Sequence, residues 1–264
     1  MERPNLMDTY HWGTLTMTSH QLYEPPGECR NVYDLWHGLA QRMGLGEHFP
    51  WKNIYELFDY RVAPTGLSFE KFRDRYKLRI EPYRYYGYKK TGFATPSGKV
   101  ELYSSVLEAL GCDPLPYYRN LETSEESPLK LFVGLREPQY FQSGQRHNRK
   151  LRKGNRVPRT VLHPADAERY GLAEGDWATI ETVAGRIHMV VAIRDDLPEG
   201  LIRVPHGWWL PEEKDLGAFE HNDGIVIPDS KEYLDREQGI PHLKGVPCRI
   251  SLREDSRSYV GLAG

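Results

Sequence analysis

Residues 162–176 read LHPADAERYGLAEGD, and this stretch decides the fold of the second half of the chain. Pro164 followed by Gly171 predicts a short helix over about Pro164–Tyr170, because proline suits the first helical turn and glycine suits the end. The run Glu174-Gly175-Asp176 then predicts a turn that leads into a strand. The stretch therefore predicts a helix and a turn set between strands.

Short apolar runs lie on both sides of this stretch. They predict strands over Leu129–Leu135, Trp177–Val183, Arg186–Ile193, Leu201–Val204 and Cys248–Leu252. The second and third of these form a hairpin-like pair around two small residues at 184 and 185. Several short strands with one or two small helices within ~125 residues predict a small β-barrel.

The first half of the chain shows helical spacing instead. Apolar residues spaced as in a helix run from Asn31 to Gly44, and shorter helices are predicted over Asn53–Tyr60 and Ser68–Tyr76. Residues 93–104 predict a turn followed by a strand. The acidic, serine-containing run 119–128 is the best linker in the sequence.

Together these elements predict an α+β protein of one to two domains, since 264 residues exceed the ~150 residues of an average domain. We expect a mainly helical or irregular region over residues 1–127, a β-barrel domain over 128–254 and a tail over 255–264. The apolar faces of the N-terminal helices are small, which predicts that this region packs on a partner chain.

Charge is segregated along the sequence, although 35 basic and 37 acidic side chains leave a net formal charge of −2. Residues 71–90 hold eight basic side chains against two acidic ones, and residues 136–159 hold eight against one. This segregation predicts an anionic partner at these segments, and the alternative is a pair of solvated faces. The near-neutral total argues against nucleic acid. Tyrosines between the basic residues of 71–90 nevertheless keep single-strand binding as an alternative.

The three cysteines, Cys29, Cys112 and Cys248, lie far apart. Their number and spacing exclude a disulfide framework and any Cys-x-x-Cys metal or iron–sulfur motif within this sequence. The opening residues carry no secretory signal, and no apolar run reaches the ~18 residues needed to span a bilayer. We expect a cytoplasmic protein without direct membrane insertion, exported only together with a partner chain that carries a signal.

The stretch 162–176 resembles the helix and turn in the C-terminal cofactor-binding domain of the molybdopterin oxidoreductases of the dimethyl sulfoxide reductase family. Three further segments resemble that family in the same order: TPSGKVELY at 95–103, GLRE at 134–137 continuing to residue 152, and HGWW at 206–209 followed by Asn222. The HGWW form is similar to the branch that contains thiosulfate and polysulfide reductases and acetylene hydratase. The resemblance implies a barrel of the double-psi, aspartate-decarboxylase-like type.

The resemblance also implies that the chain binds molybdopterin guanine dinucleotide through several loops. Gln142 stands where the family often has histidine, and with Ser143 it is expected to supply polar contacts. No catalytic or metal-ligating residue is carried over to this chain. The residues that the resemblance places at the cofactor are Gly134, Leu135, Arg136, Glu137, Gln142, Ser143, Arg146, Leu151, His206, Gly207, Trp208, Asn222 and Lys244.

The first loop has residue types that suit phosphate and guanine. Glycine at position 134 lets backbone N–H groups approach a phosphate closely. Arg136 and Arg146 offer planar, charged donors to phosphate or to the guanine edge, and the alternative for Arg136 is an ordinary surface arginine. Glu137 suits the guanine N–H pair, or else it is the partner of Arg136.

The later segments suit the pterin side of such a cofactor. His206 is expected to hydrogen-bond the pterin, or else to be a satisfied structural histidine. Trp208 and Trp209 suit a pocket wall or the core. Asn222 matches a pterin amide edge with donor and acceptor, or else is a turn residue. Lys244 is able to reach a phosphate, or else is a solvated lysine.

Members of the family carry an iron–sulfur segment and the metal-ligating residue ahead of this region, and neither is found in this sequence. The resemblance therefore implies either a separately encoded cofactor-binding subunit that completes a larger partner subunit carrying both, or a truncated remnant of such an enzyme. In neither case is this chain expected to be a catalyst by itself. The alternative is a stand-alone carrier or insertion factor for the pterin cofactor. In either case the metal, molybdenum or tungsten, is held through the cofactor.

Overall fold

The computed structural model describes residues 2–7, 15–75, 77–79, 85–213, 217 and 219–253. The chain divides into two compact units, Met1–Val100 and Glu101–Gly264. Residues 101–127 group with the second unit, where Leu121 packs against the hydrophobic core. The boundary after residue 127 stays a prediction from composition, and the predicted tail over 255–264 lies outside the described residues.

The first unit combines short helices with a small sheet. Its core is formed by Leu6, Phe58, Val62, Phe69 and Phe72, all buried. The three predicted helices are confirmed, whereas the antiparallel sheet, in the order β1-β2-β3, was not predicted as a sheet, since the sequence indicates only loop and short extended pieces over residues 1–28. The elements are β1 (Asn5–Met7), β2 (Leu15–Ser19), α1 (Val32–Arg42), α2 (Ile54–Val62), α3 (Phe69–Arg75), β3 (Lys77–Arg79) and α4 (Tyr88–Thr91).

The strand predicted to follow the turn near residue 98 is not formed. The turn itself is present, since the amide of Gly98 donates to the carbonyl of Thr95 at 3.0 Å. Beyond it, Leu102 and Tyr103 are exposed and unpaired as strand residues, and Ser104 instead caps a helix by accepting from the amide of Leu107 at 3.2 Å. Alternating apolar residues make a strand only where a neighbouring strand accepts their backbone hydrogen bonds.

The second unit contains a closed barrel whose strands follow the order β4-β8-β5-β7-β6-β9. The pairs β4–β8 and β5–β7 are parallel and the other pairs are antiparallel. This closed six-stranded mixed barrel confirms the predicted α+β class with a double-psi barrel. The elements are α5 (Ser105–Ala109), β4 (Leu129–Leu135), α6 (Arg149–Arg152), β5 (Arg159–Leu162), α7 (Pro164–Arg169), β6 (Trp177–Glu181), β7 (Arg186–Ile193), β8 (Leu201–Pro205) and β9 (Lys244–Leu252).

The stretch 162–176 behaves as its sequence predicts. Pro164 opens α7, and Gly171 adopts a left-handed conformation with φ +63° just beyond its end. Asp166, fully buried on α7, accepts a hydrogen bond from the amide of Gly200 at 2.7 Å, which ties the helix to the residue before β8. Asp176 accepts from the amide of Ala173 at 2.8 Å and closes the turn into β6. A buried carboxylate with a backbone donor fixes both position and direction.

The barrel encloses an apolar core to which every strand but β5 contributes several buried side chains, among them Leu131, Ile180, Ile187, Ile202 and Val246. No helix among the described residues is long and apolar enough to cross a membrane. In the same part of the chain, no group of three or more His, Cys, Asp or Glu side chains is arranged to hold a metal ion.

Candidate functional site

Three strands bring the predicted site residues to one end of the barrel. β4 and β8 are parallel and pair Leu135 with Pro205, so the segments that follow both strands leave at the same end. β9 runs antiparallel to β4 and pairs Lys244 with Phe132, so the beginning of β9 lies at that end too. We call this the loop end of the barrel.

The end of β4 carries a bulge at Gly134. The pairing with β8 shifts register between Val133 and Leu135, and Gly134 has φ +116°, a value that side-chain-bearing residues rarely adopt. Gly134 is exposed, and no atom lies within 4 Å of where a Cβ would stand. The bulge thus leaves the backbone open to close approach. Arg136, two residues on, is exposed.

Glu137 is half-buried and has a partner other than the one considered from sequence. Its Oε2 accepts a hydrogen bond from the amide Nδ2 of Asn155 at 2.8 Å. The backbone carbonyl of Asn155 in turn accepts from the Tyr140 hydroxyl at 2.8 Å. Burial raises the pKa of Tyr140, which keeps its hydroxyl in the donating form. Glu137, Tyr140 and Asn155 therefore fasten the base of the loop that follows β4.

Arg146 is the buried centre of the loop end, with only 2% of its surface exposed. Its Nε donates to the carbonyl of Gly207 at 3.2 Å, and its Nη2 donates to the carbonyls of Gln142 and His206, both at 3.3 Å. The first and third of these bonds join the loop after β4 to the turn after β8. Desolvation lowers the pKa of Arg146 from its usual 12.5, but an arginine remains charged at neutral pH.

Two aromatic rings enclose the same guanidinium. Its central carbon lies 4.0 Å from the ring centre of Trp208 and 4.4 Å from that of Tyr140. The two rings meet edge to face, with centres 6.0 Å apart. The predicted pocket wall residue Trp208 is thus 2% exposed and packs on Arg146, which it stabilises by cation–π attraction.

The turn after β8 is held by a residue that sequence reasoning missed. Asp223, 2% exposed, accepts from the amide of Gly207 through Oδ1 at 2.7 Å and pairs with Nδ1 of His206 through Oδ2 at 2.7 Å. The side chain of His206 is 42% exposed. The only sequence signal was the position of Asp223 directly after Asn222, and nothing local connects it to a histidine 17 residues earlier.

The turn after β8 and the loop after β4 approach each other closely at Gly207 and Ser143. A Cβ on Gly207 would stand 3.0 Å from both Cβ and N of Ser143, and Gly207 has φ +65°. The indole Nε1 of Trp209 donates to the carbonyl of Ser143 at 2.6 Å. Asn222 completes the contact, because its Nδ2 donates to the carbonyl of Trp208 at 3.2 Å.

Asn222 also performs the turn role considered from sequence. Its Oδ1 accepts from the amide of Gly224 at 2.9 Å. An amide group has two donor hydrogens and two acceptor lone pairs, so each end of Asn222 keeps capacity for one more bond.

We call Arg146 and the residues that contact it the Arg146 cluster: Tyr140, Gln142, His206, Gly207 and Trp208. Two further predicted residues are not members of this cluster. Leu151 is half-buried on α6, and Lys244 is exposed at the beginning of β9. Next to Leu151, Arg152 forms an ion pair with Glu212, which includes an Nη2–Oε2 bond of 3.0 Å. Arg149 is exposed on the same helix.

The basic segment 71–90, considered from sequence for binding single-stranded nucleic acid, is described by the structure only in part. Tyr85, Tyr86 and Tyr88 are exposed, but Tyr88 stacks on Phe93 with ring centres 5.2 Å apart, and Lys89 lies 4.6 Å over the ring of Tyr86. Tyr76 and Tyr83, which belong to the same predicted pattern, lie outside the described residues.

Two buried donors at the loop end have no hydrogen-bond partner among the described residues. They are Nη1 of Arg146 and Nε1 of Trp208. Buried donors are normally paired, so these two are candidates for a hydrogen bond to a group outside the described residues. A ligand rich in acceptor oxygens, such as a dinucleotide with phosphate and pterin carbonyl groups, fits these donors and the open backbone at Gly134.

Comparisons with known proteins agree on this part of the chain. The profile of the family described as "Molydopterin dinucleotide binding domain" matches residues 131–245. Acetylene hydratase of Syntrophotalea acetylenica is 43% identical over 259 residues, which cover 93% of this chain and 36% of that protein. The dimethyl sulfoxide reductase DmsA of Haemophilus influenzae is 27% identical over 269 residues, covering 90% of this chain and 32% of that protein.

A solved structure extends the likeness to three dimensions. The acetylene hydratase of Pelobacter acetylenicus superposes with a TM-score of 0.84 at 42% identity, over 96% of this chain and 37% of that one. This chain therefore spans about a third of the length of these relatives. It is homologous to acetylene hydratase and to members of the dimethyl sulfoxide reductase family, corresponds to their C-terminal portion, and contains their molydopterin dinucleotide-binding domain at residues 131–245.

Proposed function

We propose that this chain binds molybdopterin guanine dinucleotide at the loop end of the barrel, as the C-terminal part or small subunit of a molybdenum or tungsten oxidoreductase. The observation that carries the proposal is the Arg146 cluster. It joins the two loops that the dinucleotide-binding domain supplies, and two of its buried donors have no hydrogen-bond partner among the residues that the structure describes.

The phosphate and guanine end of the ligand is assigned to the loop after β4. Gly134 opens the backbone for close approach, and Arg136 is an exposed, planar cation two residues away. Lys244 is exposed at the same end of the barrel and supplies a second charge. Gln142 and Ser143 are exposed on the same loop and supply neutral polar contacts.

The pterin end is assigned to the turn after β8. His206 presents its exposed side, and Asn222 retains one free donor and one free acceptor position. Arg146 and Trp208 are buried at this turn, and we assign their donors Nη1 and Nε1, which lack a partner in the described part of the chain, to acceptor oxygens of the ligand. Arg146 has a further task, because it fixes the relative position of the two loops.

The chemistry comes from the cofactor and its metal, which when bound supply oxygen-atom or electron transfer. The side chains of this chain bind and orient the cofactor. We assign the metal-ligating residue and an iron–sulfur cluster to the part of the enzyme that these residues do not cover, on a larger partner chain. We also assign the complex to the cytoplasm, with export only where the partner carries a signal.

Nucleotide binding tests the proposal directly. We expect the full chain to bind GDP in a calorimetric titration more tightly than CDP, and Arg136→Ala to weaken GDP binding by roughly 10-fold or more, as the loss of one charge-assisted bond predicts. The matched control is Arg194→Ala. Arg194 is an exposed arginine that follows the carboxyl end of β7, at the end of the barrel opposite to the loop end.

Co-expression tests the arrangement with a partner. A complex with a homologous large subunit is expected to contain metal and to release GMP on acid hydrolysis. Release of an oxidised pterin from the single purified chain would instead favour the carrier or insertion factor. A chain that binds neither GDP nor CDP, and that forms no complex with such a subunit, would contradict the proposed function.

A further inference from the structure

The contact between Asp223 and the turn after β8 has a consequence for the ligand itself. The Asp223 carboxylate is buried, whereas the imidazole that it holds is 42% exposed. A carboxylate at 2.7 Å from Nδ1 accepts a hydrogen bond, so Nδ1 of His206 carries a hydrogen. In the neutral ring the hydrogen-free acceptor is then Nε2, the nitrogen on the other side of the ring.

We propose that Asp223 is a positioning residue which fixes His206 in the Nδ1–H tautomer and so makes Nε2 a hydrogen-bond acceptor at the loop end of the barrel. The ligand group that meets His206 is accordingly an N–H or O–H donor, such as the amino or ring N–H of a pterin. This inference rests on the proposed function for the identity of the ligand, but the tautomer does not depend on it.

The second oxygen of the same carboxylate makes the orientation specific. Oδ1 of Asp223 accepts from the amide of Gly207, whose carbonyl accepts from Arg146. The imidazole is therefore fixed relative to the same turn that Arg146 joins to the loop after β4. A carboxylate that bonds both an imidazole and the adjoining backbone leaves the ring little freedom to rotate or to change its tautomer.

Asp223→Asn is the variant that separates this role from simple support of the turn. The asparagine keeps an oxygen for the Gly207 amide, but it presents an NH2 group to Nδ1 of His206. An NH2 donor needs Nδ1 as an acceptor, so the variant is expected to move the ring hydrogen to Nε2 and to leave the fold in place. In serine-protease catalytic triads, the same change of aspartate to asparagine leaves the geometry intact but puts the neighbouring histidine in the wrong tautomer.

The experiment is nitrogen-15 NMR of the histidine side chains in the full chain, followed from pH 6 to pH 9. The His206 resonances are identified by their loss in His206→Gln. We expect hydrogen on Nδ1 at the high-pH plateau in the natural sequence and on Nε2 in Asp223→Asn. Asp229→Asn, an exposed carboxylate in the next turn, is the control and is expected to retain the Nδ1–H form.

Binding of 6-hydroxymethylpterin is the second measurement on the same samples. We expect the probe to shift the Nε2 resonance of His206, and Asp223→Asn to weaken its binding by ~3- to ~10-fold, the value of about one hydrogen bond. An Nε2–H tautomer in the natural sequence overturns the proposal without any variant, and so does an unchanged tautomer in a folded Asp223→Asn. If the Nδ1–H form is present but neither the pterin nor GDP binds and no complex with a large subunit forms, the positioning role of Asp223 holds and the proposed function fails.

Discussion

Replacement of Arg146 by methionine tests whether one buried guanidinium holds the loop end together. Methionine keeps the apolar stem of the side chain but ends before the guanidinium that lies between Tyr140 and Trp208, and it donates no hydrogen bond. The variant leaves the carbonyls of Gln142, His206 and Gly207 without their donor. The loop after β4 and the turn after β8 then remain joined by the hydrogen bond from Trp209 to Ser143 and by the close approach of Gly207 to Ser143.

The loss of folding stability in Arg146→Met follows from the contacts that the guanidinium makes. The three bonds measure 3.2, 3.3 and 3.3 Å, at the long end of the range, so we assign ~1 kcal/mol to each. Two cation–π contacts add ~1–2 kcal/mol. Against this, the variant no longer buries a charge and the unpaired Nη1 donor, which recovers ~1–3 kcal/mol. The net expected destabilisation is about 1–4 kcal/mol.

Two measurements on the full chain check this value. Urea unfolding is expected to give a free energy lower by that amount, and hydrogen exchange is expected to accelerate in residues 140–147 and 206–209 but not in the β6–β7 hairpin. Arg149→Met, on the exposed surface of α6, is the control and is expected to change stability by less than ~0.5 kcal/mol. Equal stability of Arg146→Met and the natural sequence, with unchanged exchange in both segments, would refute the role of Arg146.

Two further predictions concern the barrel. Burial away from water, and to a smaller extent nearby positive charge, lowers the pKa of His188 to about 4. Because this pKa lies below the value of 6.5 for an unfolded histidine, the stability of the folded chain is full above pH 6.5. It falls as the pH drops from 6.5 towards 4. Urea unfolding of His188→Gln is expected to show a shallower fall over this window, by at most ~1.4 kcal/mol per pH unit and less for a half-exposed ring, whereas an unchanged slope would contradict the assignment. Burial raises the pKa of the Cys248 thiol to about 12, so iodoacetamide is expected to label the exposed Cys29 in the folded chain and Cys248 only after denaturation, as read by peptide mass spectrometry. Labelling of Cys248 at the rate of Cys29 in native buffer would show that the barrel core is open.

Local sequence signals were sufficient for most of the barrel. The strands with long apolar runs and the helix at Pro164–Arg169 were predictable because propensity, turn residues and burial agree there. The strand Arg159–Leu162 was missed, since it has four residues and follows a basic segment. The three-stranded sheet of the first unit was missed for a related reason, because β1 and β3 have three residues each and their pairing is non-local.

The candidate site was predictable as a set of segments but not as a set of contacts. The family resemblance grouped Gln142, Ser143, His206, Gly207 and Asn222 at one predicted cofactor site, and the structure brings them to one end of the barrel. No signal in the sequence pairs Asp223 with His206 or Glu137 with Asn155, since these bonds join residues far apart in the chain. Whether these residues contact the cofactor remains a prediction.

Burial of Arg146 changes how the basic segment 136–159 is understood. Arg146 and Arg136 were expected to play the same part, as charged donors to phosphate. The structure instead encloses Arg146 between two rings and directs two of its nitrogens to backbone carbonyls, so one unpaired donor is all that it retains for a ligand. Arg152 is engaged by Glu212. The charges left for a phosphate are therefore exposed ones, chiefly Arg136 and Lys244, which act through water-accessible and salt-screened contacts. Affinity in such a site depends on how rigidly the loop after β4 is held, and the structure holds it by Arg146 at the carbonyl of Gln142 and by Asn155 at Glu137 and Tyr140.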